Sequence, residues 1–382
     1  MSQPIDPFYA IGVSRIAHEM KAKGASIIHM EFGQPSTSAP RAAIAEAHRV
    51  LDVDPMGYWE SAPLKDRIAR LYAERDGVEV APEQILLTCG ASAGLVAALA
   101  GGFSPGARIA IARPGYVAYR NALKALNLTP VEIDTGPDDH FRWTPRLLEG
   151  LDPTPDGVII ASPANPTGAI IPPDELRAMA ADCHAKGVQI LSDEIYHGLS
   201  YGAEVRSMLA FAPDAMVINS FSKYFSMAPW RLGWLVAPLA KAAHFRDYVA
   251  NLFLTAPSLS QHAALKAMDC TEELEGHLTV YARNRALMLE AMPRLGVSQI
   301  APPDGAFYIY ADMSAYTTDS LQLCLDMVRE TGVAAAPGVD FDPVNGKRFV
   351  RFSFAVSTPE VEDAIRRLSQ WLPSRRLPRV SL

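Results

Sequence analysis

Short apolar runs alternate with longer stretches of helical periodicity along most of the chain. Six of these runs, QILLT, RIAIA, GVIIAS, VQILS, AMVINS and LGWLVA, fall between residues 84 and 237. Apolar residues at helical spacing lie between or after them, as in residues 91–101 and 173–187. Short buried strands that alternate with helices predict a mostly parallel central sheet covered by helices on both faces.

From about residue 285 the pattern changes to a mixture of strand and helix. GAFYIYADM and KRFVRFSFA have the character of strands, and DSLQLCLDMVRETG between them has a helical pattern. This change predicts an α/β protein with two domains. The large domain would comprise residues 46–284, and a smaller α+β domain would be built from residues 1–45 together with 285–382.

Composition and charge restrict the classes of function. The 382 residues are 49% hydrophobic, which is enough for a sizeable core. The 35 Lys and Arg against 42 Asp and Glu give a net charge of −7. This balance argues against a nucleic-acid-binding protein, which needs a concentrated basic face. The uncharged stretch 85–103 contains four glycines and divides into a strand and a helix, so we expect no membrane span there.

The cysteines and the N-terminal sequence indicate the cellular compartment. The four cysteines are scattered, without a CxxC pair or a nearby histidine at ligand spacing. That distribution favours a reduced, cytoplasmic protein without a metal site. The N-terminus also lacks a basic segment followed by an apolar one, which is the pattern of a secretion signal.

Polar residues cluster directly after four of the predicted strands. Residues 88–92, 162–168, 192–194 and 219–223 read TCGAS, SPANPTG, SDE and NSFSK. In a parallel sheet, ligands bind at the carboxyl ends of the strands. Four polar loops in series at that edge therefore predict a single functional site.

GASAG at residues 90–94 permits two interpretations. It matches the G-x-S-x-G nucleophile elbow of α/β-hydrolases, with Ser92 as nucleophile and His262 or His277 as the base. The same small residues at a helix N-terminus would leave backbone N–H groups free to bind a phosphate. The motif alone does not decide between these roles.

Lys223 lies in NSFSKYFSMAPWRLGW, between two serines and beside aromatic residues. A hydrolase has no use for a lysine here, whereas a phosphate-bearing aldehyde cofactor explains it and its neighbours. The lysine amine would form a Schiff base with the aldehyde, and Asp193 would pair with a cationic ring nitrogen. Ser220, Ser222 and Arg231 would bind the phosphate.

The ordered set of motifs resembles the pyridoxal-phosphate enzymes of fold type I, specifically the class I and II aminotransferases of the aspartate-aminotransferase type. The motifs are FGQPS, CGAS, PGYVAYR, SPANPTG, SDEIY, SFSKYFSMAPWRLGW and FVRFSFA, and they extend over nearly the whole chain. The resemblance implies pyridoxal 5′-phosphate as the cofactor. It implies these cofactor-binding positions: Gly90, Ala91, Ser92, Tyr116, Asn165, Asp193, Tyr196, Ser220, Ser222, Lys223 and Arg231.

The resemblance also implies roles in catalysis. Lys223, Asp193 and Tyr196 would be the catalytic residues, with Lys223 moving the substrate proton after its release from the Schiff base. The implied reaction moves an amino group from an L-amino acid to a 2-oxo acid by a ping-pong mechanism.

Substrate and subunit contacts follow from the same resemblance. Gly33, Asn165 and Arg351 would bind the substrate, and Arg351 would grip its α-carboxylate bidentately. The family further implies a homodimer whose active site lies at the interface. Tyr58 would then reach the cofactor phosphate of the partner subunit.

Three features depart from the family pattern. Pro229 stands where glycine is usual, the segment YWESAPL at 58–64 is shorter than usual, and Ala91 replaces the basic residue of some aspartate-specific relatives. The last difference argues against a dicarboxylate substrate. Trp59 and Glu60 would favour an apolar or amine-bearing substrate if they line the partner loop.

Two other functions stay open. A C–S β-lyase of the same fold would use the same residues, but it eliminates a side-chain leaving group and needs no amino acceptor. An α/β-hydrolase acting through Ser92 is the more remote alternative.

Overall fold

The computed structural model describes residues 4–378, and this part of the chain forms twelve α-helices and eleven β-strands. The helices are α1 (Tyr9–Ala22), α2 (Arg41–Val53), α3 (Ala62–Asp76), α4 (Ala91–Gly102), α5 (Val117–Ala125), α6 (Pro145–Glu149), α7 (Pro173–Lys186), α8 (Ala242–Phe253), α9 (Ser258–Ala267), α10 (Thr271–Arg294), α11 (Ser320–Thr331) and α12 (Thr358–Trp371). The strands are β1 (Ile28–Met30), β2 (Ile85–Thr88), β3 (Arg108–Arg113), β4 (Thr129–Asp134), β5 (Gly157–Ala161), β6 (Gln189–Asp193), β7 (Met216–Ser220), β8 (Gly233–Val236), β9 (Tyr308–Asp312), β10 (Val333–Pro337) and β11 (Phe349–Ser353). Two separate sheets organise these elements.

The larger sheet has seven strands in the order β2-β8-β7-β6-β5-β3-β4. Its strands pair in parallel from β7 to β4, whereas β8 runs antiparallel to both β2 and β7. Ile218 and Leu235 pack with helices α4, α5 and α8 on one face, and the alternate residues Val217 and Val236 pack with α3 and α9 on the other. Burial on both faces explains the continuous apolar runs. The structure confirms the predicted fold class.

The smaller sheet has four strands in the order β1-β10-β11-β9. β1 is parallel to β10, and β11 is antiparallel to both β10 and β9. The N-terminal part of the chain therefore joins a sheet whose other strands all come after residue 300. Helix α10 runs without a break across the predicted boundary at residue 284. The division into residues 46–284 and 1–45 plus 285–382 stays a proposal.

Three strands have no clear counterpart in the apolar pattern. β4 (TPVEID) is an edge strand with no fully buried residue, and it contains a proline. β10 (VAAAP) is fully buried and consists mostly of alanine, which favours helices, so its pairing with β1 and β11 determines its strand conformation. β1 is three residues long. Tertiary pairing therefore determines all three.

The topology brings the predicted polar loops together. β2, β5, β6 and β7 all point the same way, so their carboxyl ends lie on one edge of the larger sheet. Asp193 ends β6, Ser220 ends β7, and Thr88 ends β2 directly before the start of α4. None of the helices within residues 4–378 combines the length and apolar character needed to cross a membrane.

Candidate active site

A cavity of about 770 Å³ lies at this edge, between the larger sheet and residues of the smaller one. Of the positions predicted from the sequence, the following line it: Gly33, Ala91, Ser92, Tyr116, Asn165, Asp193, Tyr196, Ser222, Lys223, Arg231 and Arg351. Gly90 and Ser220 lie directly beside the lining residues, in the turn before α4 and at the end of β7. Tyr58 lies outside the cavity and is 84% exposed. The structure thus brings together all the predicted positions except Tyr58.

Lys223 projects into the cavity from the loop after β7. Its Nζ donates a hydrogen bond to the carbonyl oxygen of Gly33 and lies 5.8 Å from the centre of the Tyr196 ring. Burial, reinforced by the positive charges of Arg351 and Arg231, lowers the pKa of Lys223 from 10.5 to about 8. A substantial fraction of this amine is therefore neutral near physiological pH, in contrast to a surface lysine.

Asp193 presents a buried carboxylate at the end of β6. The Tyr119 hydroxyl donates to its Oδ2 at 2.6 Å, and the backbone N–H of Ile195 donates to Oδ1 at 3.1 Å. Burial raises the pKa of Asp193, and the two hydrogen bonds act in the opposite direction. A cationic group in the cavity would complete the pairing of this carboxylate. Tyr116, the N-cap residue of α5, packs edge-on against the Tyr119 ring, with the two ring centres 5.5 Å apart.

The N-terminus of α4 and Arg231 form a site suited to an anion. The N-cap of α4 is Gly90, with φ of 80° and no capping side chain, so no side chain competes for the N–H groups of the first turn. The φ of 80° at Gly90 favours glycine, and a Cβ there would also overlap the present position of the Arg231 guanidinium. Arg231 is held by the carbonyl oxygens of Ala228 and Cys89, at 3.0 and 3.3 Å.

Two serines support the same region. Ser220 Oγ donates to the carbonyl oxygen of Leu232 at 3.0 Å and lies 2.8 Å from Ser222 Oγ, from which it can accept a hydrogen bond. Ser222 lines the cavity, whereas Ser220 lies behind it and fixes the turn. Ser222 can therefore contact a ligand directly, and Ser220 acts by holding Ser222.

Arg351 is 2% exposed and comes from β11 of the smaller sheet. Its Nη1 donates to Asn165 Oδ1 at 2.8 Å and its Nη2 to the carbonyl oxygen of Glu31 at 2.6 Å. The guanidinium lies over the rings of Tyr308 and Phe341, with centroid distances of 4.5 and 4.7 Å. No carboxylate pairs with Arg351 in the described part of the chain, so its charge is available to a ligand carboxylate.

Sequence reasoning missed Tyr308, which links the two predicted residues Tyr196 and Gly33. The hydroxyls of Tyr308 and Tyr196 are 2.6 Å apart. A Cβ at Gly33 would overlap the Tyr308 hydroxyl, which explains the glycine in FGQPS. Tyr119 was also missed, although it lies one helical turn after Tyr116. For Tyr308, the alternating aromatics of FYIY are equally typical of a core strand.

The geometry does not support Ser92 as a hydrolase nucleophile. Within residues 4–378, no hydrogen bond joins Ser92 to a histidine. His262 stacks on Trp59 with ring centres 4.6 Å apart, and Nδ1 of His277 lies 3.3 Å from Ser226 Oγ. In the same described residues, no group of three or more His, Cys, Asp or Glu is placed to bind a metal ion.

Comparisons with known proteins agree with this arrangement. The profile of the family described as aminotransferase class I and II matches residues 27–368. A valine–pyruvate aminotransferase of Mycobacterium tuberculosis is 43% identical over 378 residues, which are 97% of each chain.

Solved structures show the same likeness. The crystal structure of an aminotransferase from Mycobacterium tuberculosis has a TM-score of 0.95 at 43% identity, covering 97% of each chain. The aspartate aminotransferase of Thermus thermophilus, solved with maleate, has a TM-score of 0.89 at 27% identity, covering 96% of this chain and 97% of that one. The chain therefore belongs to the class I and II aminotransferase family, and the protein is an aminotransferase.

Proposed function

We propose that this aminotransferase uses pyridoxal 5′-phosphate to move the amino group of an L-amino acid with an apolar aliphatic side chain to a small 2-oxo acid. The relative at 43% identity is a valine–pyruvate aminotransferase. The single observation that carries the proposal is the cavity lining, where an amine of lowered pKa, a buried carboxylate and two arginines converge.

The residues present fit the proposed cofactor. The uncapped N-terminus of α4, with Ser222 and Arg231, would bind the phosphate, and Asp193 would pair with the ring nitrogen. When bound, the cofactor supplies an aldehyde for the Lys223 amine and a ring that accepts electrons from the substrate Cα. Tyr116 and Tyr196 line the cavity and would contact the ring.

Residues of the chain itself bind the substrate and transfer the proton. Arg351 binds the α-carboxylate of the substrate, and the Asn165 amide oxygen holds the guanidinium in place for this contact. Lys223, partly neutral because of its lowered pKa, would take the proton from Cα of the amino acid in the first half-reaction and would supply a proton to Cα of the oxo acid in the second. The same residues serve the amino acid and the oxo acid in turn, which predicts ping-pong kinetics.

The charges in the cavity favour an apolar substrate. Among the residues that line it, the cations are Lys223, Arg231 and Arg351. The proposed roles occupy all three, so no cation is left for a side-chain carboxylate. Phe32, Ile44 and other apolar side chains line the same cavity and suit an aliphatic side chain.

A panel of amino acids with pyruvate as acceptor tests the substrate class. We expect kcat/KM for valine to exceed that for aspartate by about 30-fold, the cost of burying a carboxylate without a partner. A preference for aspartate or glutamate would overturn the proposal. Release of ammonia without an acceptor would instead indicate the β-lyase.

We also propose that the enzyme works as a cytoplasmic homodimer. Tyr58 is 84% exposed, and the nearby Leu51 and Val53 expose 54% and 66% of their surface. A second copy of the chain that covers this region would bury the apolar side chains and would bring Tyr58 to the active-site cavity of that second copy. All four cysteines are free, in keeping with a reducing compartment. Light scattering of the purified protein at micromolar concentration should give twice the chain mass, and a monomer mass would contradict the dimer.

A further inference from the structure

The N-terminal segment, residues 6–10, is anchored to α5 at its first residue. The backbone N–H of Asp6 donates to Asn121 Oδ1 at 2.9 Å, and Asn121 Nδ2 returns a bond to the Asp6 carbonyl oxygen at 3.0 Å. The Asp6 carboxylate pairs with Lys124 at 2.9 Å. Because α5 begins directly after Tyr116, this anchor ties the segment to the larger-sheet side of the active site.

Asp340 anchors the other end of the segment. It is 1% exposed and lies in the turn after β10, and its two carboxylate oxygens accept hydrogen bonds from the backbone N–H groups of Tyr9 and Ala10, both at 2.8 Å. These residues begin α1, whose N-cap residue Phe8 offers no capping side chain. Asp340 therefore caps α1 from a position 330 residues away in sequence.

Phe8, between the two anchors, lines the active-site cavity. It also packs against a cluster that contains Phe341, and the Arg351 guanidinium lies over the Phe341 ring at 4.7 Å. A second cavity of about 390 Å³ is lined by Asp6, Tyr9 and Asp340, so the packing around the two anchors is incomplete. The position of Phe8 therefore depends on the anchors together with its packing against the cluster.

We propose that Asp340 is a positioning residue for substrate binding: by capping α1 it holds Phe8 at the cavity, where Phe8 forms part of the wall for the apolar side chain of the substrate. Asp340 itself does not line the active-site cavity. The identity of the substrate side chain in this statement rests on the proposed function, whereas the coupling of Asp340 to Phe8 does not.

The first test compares Asp340→Asn with the wild-type holoenzyme. Asparagine has a similar size but replaces one of the two acceptor oxygens by an NH2 group, which would face a backbone N–H and break one of the two hydrogen bonds. We expect KM for the amino acid to rise about fivefold, the size of effect that loss of a helix cap produces, with kcat within twofold of wild type. Hydrogen exchange should become faster at the Tyr9 and Ala10 amides.

Asp319→Asn is the matched control. Asp319 caps α11 in the ordinary local way, accepting from the backbone N–H of Gln322 at 3.1 Å, and it is exposed. This variant should leave KM and the exchange of the Tyr9 and Ala10 amides unchanged. An equal effect of both variants, or unchanged exchange in Asp340→Asn, would overturn the proposal.

A double-mutant cycle with Phe8→Ala identifies the route of the effect. If Asp340 acts through Phe8, the double variant should have the KM of Phe8→Ala alone. If Asp340 acts directly on the charge of Arg351, the two KM effects should multiply, and that result would overturn the proposal. The cycle uses whichever amino acid wild type converts fastest. A polar best substrate would refute the proposed substrate class while the cycle still tests the coupling.

Discussion

The two sides of the active-site cavity are built in different ways. The side proposed to bind the cofactor comes from the larger sheet, where Asp193 is the last residue of β6 and Ser222 and Lys223 lie in the loop directly after β7. Arg231 lies further along the same connection, shortly before β8. The side proposed to bind the substrate combines β11, β9 and the N-terminal segment, and its contacts span long distances in sequence. Arg351 reaches the carbonyl oxygen of Glu31, 320 positions away.

Local sequence motifs therefore determine the residues proposed for the chemistry. Tertiary contacts determine the residues proposed for substrate specificity. A polar loop that follows a strand of a parallel sheet places its side chains at the carboxyl edge of that sheet, where ligands bind. The substrate wall exists only after the smaller sheet has paired β1 with β10 and brought Asp340 to the start of α1. Changes on the first side should abolish chemistry, and changes on the second should mainly alter substrate binding.

The largest effect should come from Lys223→Ala. Loss of the amine that moves the proton should lower kcat by about 10⁴-fold while the protein keeps its fold, as circular dichroism can check. Lys241→Ala, at an exposed lysine outside the cavity, is the control and should keep full activity. Turnover of Lys223→Ala within tenfold of wild type would refute the assigned role.

The same comparison of the two sides explains which site residues could be predicted from the sequence. Lys223, Asp193 and Arg231 could be identified because each lies in a short contiguous motif with a recognisable neighbour pattern. Arg351 was identified only through the family resemblance, since nothing near it in sequence reveals Asn165 as its partner.

The remaining features depend on folding at long range. Phe8 and Asp340 have no local signature, because the cap joins an unremarkable helix start to a turn 330 residues away. Tyr308 lies in a strand whose aromatic residues all suit a core. Similarly, β10 is a strand only because β1 and β11 pair with it, against the helix preference of its alanines.

Arg351→Gln should give the next largest effect, on the substrate side. Loss of two charge-assisted hydrogen bonds to the α-carboxylate should lower kcat/KM by about 100-fold, with the cofactor still bound. Arg348→Gln is the matched control, since Arg348 is half-exposed on the same stretch and pairs with Asp312 at 3.2 Å. Equal losses in both variants would show that the effect is structural.

Tyr119→Phe should produce a smaller effect, about tenfold weaker cofactor binding, by removing one hydrogen bond from the Asp193 carboxylate. This bond lowers the pKa of Asp193, so its loss raises that pKa. Cofactor affinity should fall as pH decreases and Asp193 becomes protonated, and the midpoint of this decline should lie at higher pH in the variant. Tyr201→Phe, which removes a hydroxyl bonded to the Ala306 carbonyl oxygen at 2.6 Å, should leave the midpoint unchanged. A midpoint that does not move in Tyr119→Phe would contradict the role of Tyr119.

The smallest effect should come from Tyr58→Phe. If Tyr58 donates one hydrogen bond to the phosphate in the partner subunit, cofactor affinity should drop about fivefold without loss of the dimer. Tyr248→Phe, on α8, is the control. Equilibrium dialysis measures the cofactor affinity, and identical values for Tyr58→Phe and wild type would show that the Tyr58 hydroxyl does not bind the phosphate.

The most direct measurement is borohydride reduction of the protein after addition of pyridoxal 5′-phosphate, followed by mass spectrometry of the peptides. We predict one cofactor per chain, attached to Lys223, together with loss of this label and no labelling elsewhere in Lys223→Ala. Attachment to another lysine, or no attachment when the cofactor is in excess, would contradict the assignment of Lys223 and with it the proposed cofactor side of the active site.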